Sequence, residues 1–151
     1  NPAKKQYRSI LSFSTGSLPN NAVLLKVELH VRKQGITGGG NPLTLFQGFR
    51  VDVKNGFFGS AASLAASDFQ AKAGKSFGPF SPTPVNGWYI LDLTAAKGYV
   101  NKLATNGGLT QLRLRFTLDD NNNGLANYLS LYSGNASTGN RPQLVIKYYV
   151  P

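Results

Sequence analysis

The sequence has no cysteine, no methionine, one histidine, one tryptophan and only six acidic residues. Without cysteine there is neither a disulfide framework nor a thiolate metal site, and the redox compartment stays open because an oxidising exterior tolerates cysteine-free domains. No apolar run reaches the roughly 18 to 20 residues that a membrane-spanning helix needs. No basic start followed by an apolar stretch marks a signal peptide. These absences argue against a disulfide-stapled protein and against a membrane span.

What the chain does have is length for one core and an excess of positive charge. Its 151 residues fit one domain. Sixteen Lys and Arg against six acids give a formal charge of +10, which favours anionic partners without saying which anion. Residues 1–6 and Pro151 resemble the ends of a segment taken from a longer chain. We therefore expect residues 1–151 to be a single module excised from a larger multi-modular protein.

Alternation of apolar and polar residues with period two dominates the chain, which is typical of half-buried antiparallel strands. The predicted strands cover residues 7–13, 23–33, 43–53, 88–93, 110–118, 128–132 and 143–149. Turn-forming glycine, proline and asparagine separate them. The pattern predicts an all-β protein, an antiparallel two-layer β-sandwich of the jelly-roll kind.

Helical signals are weak, and the core follows from the strand pattern. Residues 60–66 and 94–103 are the candidates for one or two short helical turns. The predicted core residues are Leu25, Val27, Leu29, Leu112, Leu114, Phe116, Leu144 and Ile146. A register slip of one residue would expose the whole set, so the alternation is a strong constraint.

Three segments resemble a known family. They are YRSILSFSTGSLPNNAVLLKVELHV at residues 7–31, GWYILDLT at 87–94 and YLSLYSGNASTGNRPQLVIKYY at 128–149. They are similar to the DNRLRE-type domain of large bacterial surface and secreted proteins, a group that includes carbohydrate-binding module family 96. The resemblance implies a β-sandwich, an extracellular or cell-surface location and a non-catalytic role. Relatives usually carry an extra segment with two strands ahead of the position of Arg8, so either the sheet is shorter by one or two strands here or another segment or chain completes it.

The residues offer little for catalysis. His30 is the only histidine, and it lies two residues after Glu28 on the same predicted exposed strand face. A hydrolase of the serine or cysteine type needs a nucleophile beside such a base. The acids Asp52 and Asp92 belong to strand patterns, with Asp52 expected on a solvent face, and Asp68 precedes Phe69 like a helix cap. We expect no enzyme activity.

An oxygen-rich cluster follows the strand at residues 110–118. Asp119, Asp120, Asn121 and Asn123 supply carboxylate and amide oxygens, the ligands that calcium prefers. The spacing is not that of an EF-hand, and the same residue types favour a hairpin turn. Both interpretations stay open: a turn, or a structural calcium site formed by these four residues.

Basic residues on two predicted strands form the candidate ligand site. Lys26, His30 and Arg32 point one way from the first strand, and Arg113 and Arg115 do so from the second. If the two strands share a sheet, these side chains form one exposed patch whose arginines suit carboxylate or sulfate groups. Trp88 and Tyr89 are the nearby aromatic candidates for packing against sugar rings, although Trp88 also fits a core or rim position. A basic strand face can equally be solvated only.

These observations favour a carbohydrate-binding module for an acidic polysaccharide, such as a cell-wall or matrix glycan, in an extracellular or cell-surface protein. The alternative is a structural or adhesive surface module that has no small ligand and contacts neighbouring modules. Nucleic acid is a weaker candidate partner because the chain has no recognition helix, zinc motif or aromatic RNP-like strand.

Overall fold

The computed structural model describes residues 5–151. Residues 1–4, which belong to the predicted module 1–151 and to its predicted N-terminal end at residues 1–6, lie outside the described residues. Within these described residues the chain forms eight strands and one short helix. They are β1 (Ser9–Ser14), β2 (Val23–Thr37), α1 (Pro42–Leu45), β3 (Phe49–Asn55), β4 (Lys75–Phe80), β5 (Trp88–Asp92), β6 (Leu109–Phe116), β7 (Tyr128–Leu131) and β8 (Gln143–Tyr149). Short 3-10 helices cover Ala66–Phe69, Thr94–Tyr99, Asn106–Gly108 and Thr138–Asn140.

The strands make two antiparallel sheets, which confirms the predicted all-β sandwich. The first sheet, called sheet A, has the order β1-β6-β3-β4. The second, sheet B, is built on the long strand β2, which pairs with β5 on one side and with β7 and β8 on the other. β2 has 15 residues, whereas β7 has four and β8 has seven, so β7 and β8 lie end to end along it. β8 pairs with the first half of β2 and β7 with the second.

The core lies between the two sheets and follows the alternation of the strands. Val27, Leu29 and Val31 of β2 are buried against Leu112 and Leu114 of β6. Phe116, Leu144 and Ile146 pack on this core but are only partly buried. Seven of the eight predicted core residues therefore face inward.

The eighth, Leu25, is wrongly placed by the alternation. The pairing of β2 with β8 shifts by one residue between Leu24 and Lys26, as at a β-bulge, where one extra residue enters one strand. Leu24 takes the inward position and is 5% exposed, whereas Leu25 is 48% exposed. The bulge reverses the faces at the start of β2, which a strict period of two does not foresee.

Several elements also differ from the sequence-based expectation. The predicted strand at residues 43–53 begins as helix α1, and only the part from Phe49 onward forms β3. Asn41 caps this helix by accepting the backbone N–H of Leu43 with its side-chain oxygen. Strand β4 lies in a Gly- and Pro-rich stretch that resembles a turn, where Gly78–Pro79 is cis. The helical turn expected at residues 60–66 forms instead at Ala66–Phe69 and the one expected at residues 94–103 is a 3-10 helix over Thr94–Tyr99. Because β4 is an edge strand, its proline can stand where no ladder partner is needed.

Candidate functional site

The predicted basic patch is divided between the two sheets. Lys26, His30 and Arg32 belong to β2 in sheet B, and Arg113 and Arg115 belong to β6 in sheet A. Each set points away from the core of its own sheet, so the two sets lie on opposite outer faces of the sandwich. The expectation that these five residues line one surface is therefore wrong, because β2 and β6 are not partners in a sheet.

Arg113 and Arg115 converge on a buried carboxylate. Arg113 Nε lies 2.8 Å from Asp52 Oδ2 and Arg115 Nε lies 3.0 Å from the same oxygen. Ser76 donates its hydroxyl to Asp52 Oδ1. Asp52 is 1% exposed and Arg113 is 5% exposed, which corrects the expectation that both face solvent. Burial alone would raise the pKa of Asp52, but hydrogen bonds from Arg115, Ser76 and Arg113 outweigh it and hold this pKa below its ordinary value.

The segment between β3 and β4 covers this group of charges. Phe58, which is fully buried, donates its N–H to Gln111 and lies under the Arg113 guanidinium at 4.6 Å from the ring centre. Arg113 Nη1 donates to the carbonyls of Asp68 and Ala71 at 2.7 and 2.8 Å. Nε and Nη1 of Arg113 thus have partners within the fold and its side chain is 6% exposed, so a ligand could reach it only by displacing the segment.

Strand β2 carries its basic residues on the outer face of sheet B, and its pairing places them in rows across the sheet. His30 lies between Ile90 of β5 and Gln143 of β8, and Lys26 lies beside Lys147 of β8. Ile90 is 42% exposed. Same-face residues of a strand are about 6.8 Å apart and neighbouring strands about 4.8 Å, so one or two sugar residues fit along two rows.

Arg32 and Trp88 form the best-defined pair on this face. They are opposite each other in the pairing of β2 with β5, and the guanidinium carbon of Arg32 lies 5.7 Å from the centre of the Trp88 ring. Arg32 Nη1 donates to Asn140 Oδ1 at 2.5 Å, and Asn140 is held by Ser137 through a hydrogen bond of 2.9 Å. Trp88 is half-buried, as expected for a rim position. The pair is positioned from three segments, β2, β5 and the loop before β8.

Two carboxylates separate Arg32 from Lys26. Glu28 Oε1 lies 2.7 Å from Lys26 Nζ, and Glu28 Oε2 lies 3.1 Å from His30 Nε2. The hydrogen bond from Lys26 is the main cause that lowers the pKa of Glu28, and the same bond raises the pKa of Lys26. Asp92, beside Glu28 on β5, has its pKa lowered mainly by hydrogen bonds from Thr94. The charge of Lys26 is thus paired with that of Glu28. Among the β2 side chains on this face, the positive charge that remains for an anionic ligand is that of Arg32.

Tyr89 does not belong to this face. It alternates with Trp88 and Ile90 on β5, points inward and is 2% exposed. Its ring meets that of Phe49 edge to face with centres 5.7 Å apart, and burial raises its pKa. Tyr89 is a core residue, which corrects its assignment as a ligand contact.

The oxygen-rich cluster forms a chain of local turns. Asp120, Asn121 and Asn123 each accept the backbone N–H of the residue two positions on, at 2.8, 3.4 and 2.9 Å. Asp119 Oδ1 lies 3.5 Å from Arg8 Nη2. Such bonds are typical of turns that asparagine and aspartate stabilise with their own side chains. No group of three or more His, Asp or Glu side chains within residues 5–151 is arranged to hold a metal ion. The turn and the structural calcium site both stay open, and calcium binding is the one that needs a test.

Several neighbours of Arg32, His30 and Lys26 were not predicted from the sequence. Asn140, Gln143, Ile90 and Lys147 come to the same face from β5, β8 and the preceding loop. The alternation predicts which side chains of each strand point outward, so the sequence indicates the face on which each of these residues lies. Strand order is not contained in the alternation, and without it the neighbours of β2 stay unknown.

No helix in the described part of the chain is both long and apolar enough to cross a membrane. Comparison with protein-family models, curated proteins and solved structures gives no match.

Proposed function

We propose that the chain is a non-catalytic carbohydrate-binding module that holds an acidic polysaccharide on the outer face of sheet B, in an extracellular or cell-surface protein. The observation that supports this most is the pairing of Arg32 with Trp88 on a face where the adjacent Ile90 is 42% exposed. The resemblance of residues 7–31, 87–94 and 128–149 to DNRLRE-type domains points to the same function.

The chemistry of the pair suits a charged sugar. A pyranose ring presents apolar C–H groups that pack against the ring of Trp88 and the side chain of Ile90. Arg32 Nη1 donates to the Asn140 side chain and to the Gly139 carbonyl. The Nε and Nη2 atoms of Arg32 have no hydrogen-bond partner within residues 5–151. These two nitrogens can donate to a carboxylate or sulfate in the bidentate manner that arginine favours. His30 and Gln143, in the next row, supply further polar contacts.

The affinity of one such site is expected to be low. Exposed ion pairs contribute about 0.2 to 1 kcal/mol each, and Glu28 and Asp92 on the same face repel an anion. The site therefore favours short stretches of the polysaccharide near Arg32 and disfavours extension of the chain toward Lys26. Several copies of the module in one protein would raise the effective affinity through avidity.

A non-catalytic role is supported by the surroundings of the histidine. His30 Nε2 contacts Glu28 at 3.1 Å, and no hydroxyl in the described residues makes a hydrogen bond to it. A histidine that acts as a general base for a nucleophile needs such a contact.

The alternative, a structural or adhesive surface module without a small ligand, also has a specific observation in its favour. Glu28 engages Lys26 and His30, as on a strand face that is only solvated. Charge pairs of this kind on a sheet surface favour solubility and need no ligand.

Affinity electrophoresis separates the two functions. The protein is run through gels that contain polygalacturonate, dextran sulfate or neutral dextran, each at low and at high salt. We expect the two acidic polymers to retard migration at low salt and to lose this effect as the Debye length falls below about 8 Å, while neutral dextran has no effect. Equal mobility in all gels would leave the structural-module function in first place.

A further inference from the structure

The sandwich is open along one of its sides. Phe49 of β3 contacts Tyr89 of β5, so these strands face each other across the core, and the other ends of the two sheets, β1 in sheet A and β7 with β8 in sheet B, lie on the same side. A cavity of about 100 Å³ opens there. Core residues form its floor: Phe46, Phe49, Leu114, Phe116, Leu129 and Leu131. We call this cavity and the flanking strands β1, β7 and β8 the lateral opening.

Both sheets present free backbone edges at the lateral opening. In the described part of the chain β1 pairs with β6 alone and β8 pairs with β2 alone. About every second residue of an edge strand directs its N–H and C=O groups away from its one neighbour. These groups are a template for one more strand.

The side chains at the opening are those of an unfinished core. The pairing of β1 with β6 places Ser9, Leu11 and Phe13 on the inward face, yet Ser9 is exposed and the other two are only half-buried. On β8 the inward residues Leu144 and Ile146 are half-buried and Tyr148 is 42% exposed. Inward residues of a closed sandwich are covered by the opposite sheet. Apolar surface on both sides of the opening therefore lacks its cover.

We propose that the lateral opening binds one extended strand of another polypeptide. The strand hydrogen-bonds to the free edge of β1, as in recognition by β-strand addition. Every second side chain of the strand is apolar and points inward, where it covers the cavity floor and the half-exposed residues of β7 and β8. The alternation is dictated by the opening itself, because only one face of the added strand meets the core.

Charge determines the chemistry of the other face of that strand. The chain has a net charge of +10. Lys5 lines the opening, and Arg115 lies beside it with its guanidinium bonded to Asp52 on the outer face of sheet A. One carboxylate, Asp119, also lies there, and Arg8 pairs with it. A second copy of this chain would add its own +10 to the contact, which long-range repulsion opposes. The partner strand therefore carries acidic residues at the positions that alternate with the apolar ones.

Synthetic peptides test this proposal with the intact chain. The probe is a peptide of about ten residues with Val and Ile at alternate positions and Thr and Glu between them; a second peptide has the same composition with the apolar residues grouped, and a third has Lys in place of Glu. We expect the first peptide to bind and to slow hydrogen exchange of the amides of Ser9–Ser14, and the third to bind about tenfold more weakly. Equal binding of the grouped peptide, or protection confined to other strands, would overturn the proposal.

Two matched variants locate the bound strand. Ser9→Lys places a charge inside the opening, and Ser14→Lys places the same charge on the outward face of the same strand, since Ser14 lies across from Leu109. Both positions are exposed, so both variants should fold, which their melting curves check. We expect Ser9→Lys to weaken the first peptide about tenfold or more, because a buried unpaired charge is costly, and Ser14→Lys to leave binding unchanged. Equal effects of the two variants would contradict the placement.

Sedimentation of the chain without peptide tests the choice of occupant. We expect a monomer across the concentration range. A dimer that protects the amides of β1 would show a second copy in the opening and would overturn the assignment to another polypeptide. The proposal does not depend on glycan binding, since sheet B's outer face and the lateral opening share no side chain named in either argument.

Discussion

Arg113 donates a hydrogen bond from Nε to Oδ2 of Asp52 at 2.8 Å, and both side chains are shielded from water, with 6% and 1% of their surface exposed. In the sequence, Arg113 belongs to an alternating basic run of the kind that is typical of a solvated strand face. In the structure the residues between β3 and β4 cover that face, and the arginine becomes part of a buried ion-pair group. The group holds the covering segment to sheet A through the carbonyls of Asp68 and Ala71.

Removing the charge of Asp52 is expected to destabilise the fold strongly. Asp52→Asn leaves Arg113 buried without its counter-charge, and breaking a buried pair from one side costs about 3 to 5 kcal/mol. Glu28→Gln is the matched control, because it removes one carboxylate from an accessible pair with Lys26 and is expected to cost about 0 to 1 kcal/mol. Urea unfolding measures both. Equal losses for the two variants would show that the Asp52 group contributes no more than a surface pair.

The same group makes a prediction about pH. The folded-state pKa of Asp52 lies below its ordinary value, which is about 3.9 in an unfolded chain. The contribution of Asp52 to stability is therefore present above about pH 4 and is lost as pH falls through the folded-state pKa. We expect the free energy of unfolding to drop more steeply in the parent than in Asp52→Asn between about pH 4 and pH 2. Parallel slopes for the two proteins in urea titrations over this range would contradict the prediction.

The bulge at the start of β2 predicts unequal effects of two neighbouring leucines. Leu24→Ala removes a side chain that is 5% exposed and is expected to cost about 2 to 5 kcal/mol through lost burial and a cavity. Leu25→Ala changes a side chain that is 48% exposed and is expected to cost less than about 1 kcal/mol. Chemical denaturation of the two variants decides the register. A larger loss for Leu25→Ala would restore the strict alternation and exclude the bulge.

Much of the fold was predictable because its signal is local. Val27, Leu29, Leu112 and Leu114 lie in the core because the alternation along β2 and β6 assigns each residue to a face. Leu25 departs from that pattern because a bulge is set by the pairing of β2 with β8, which is a property of two strands.

The candidate site was predictable only in part, because its signal depends on strand order. Arg32 and Trp88 were both singled out, and the structure brings them together. Arg113 was assigned to the same patch, but β6 lies in the other sheet. Which residues cover a face, and which strands are neighbours, are decided by tertiary packing that alternation within one strand does not carry.

Calcium addition tests the loop that follows β6. Because Asp120, Asn121 and Asn123 already bind backbone N–H groups, we expect the melting temperature to be the same with excess calcium and with a chelator. A ligand bound only by the folded state raises the melting temperature by mass action. A rise with calcium that Asp120→Asn abolishes would establish the structural calcium site instead.

The last prediction concerns the outer face of sheet B and the acidic polysaccharide. Arg32→Ala removes the cation beside Trp88, and it is expected to reduce the retardation by polygalacturonate about fivefold or more, since hydrogen bonds to charged groups contribute about 1.5 to 3 kcal/mol where they form. Lys54→Ala is the control: it removes the same charge from β3 in sheet A, beside Gln111 on the opposite outer face. If general electrostatic attraction to the +10 chain caused the binding, the two variants would lose it equally. A third variant, Trp88→Ala, tests the aromatic contact, and we expect it to reduce the retardation at low salt, where the parent binds, because the sugar ring loses the apolar surface against which it packs. Affinity electrophoresis of the three variants, with melting curves to confirm that each is folded, measures these differences, and unchanged retardation of both Arg32→Ala and Trp88→Ala would remove this face as the glycan site.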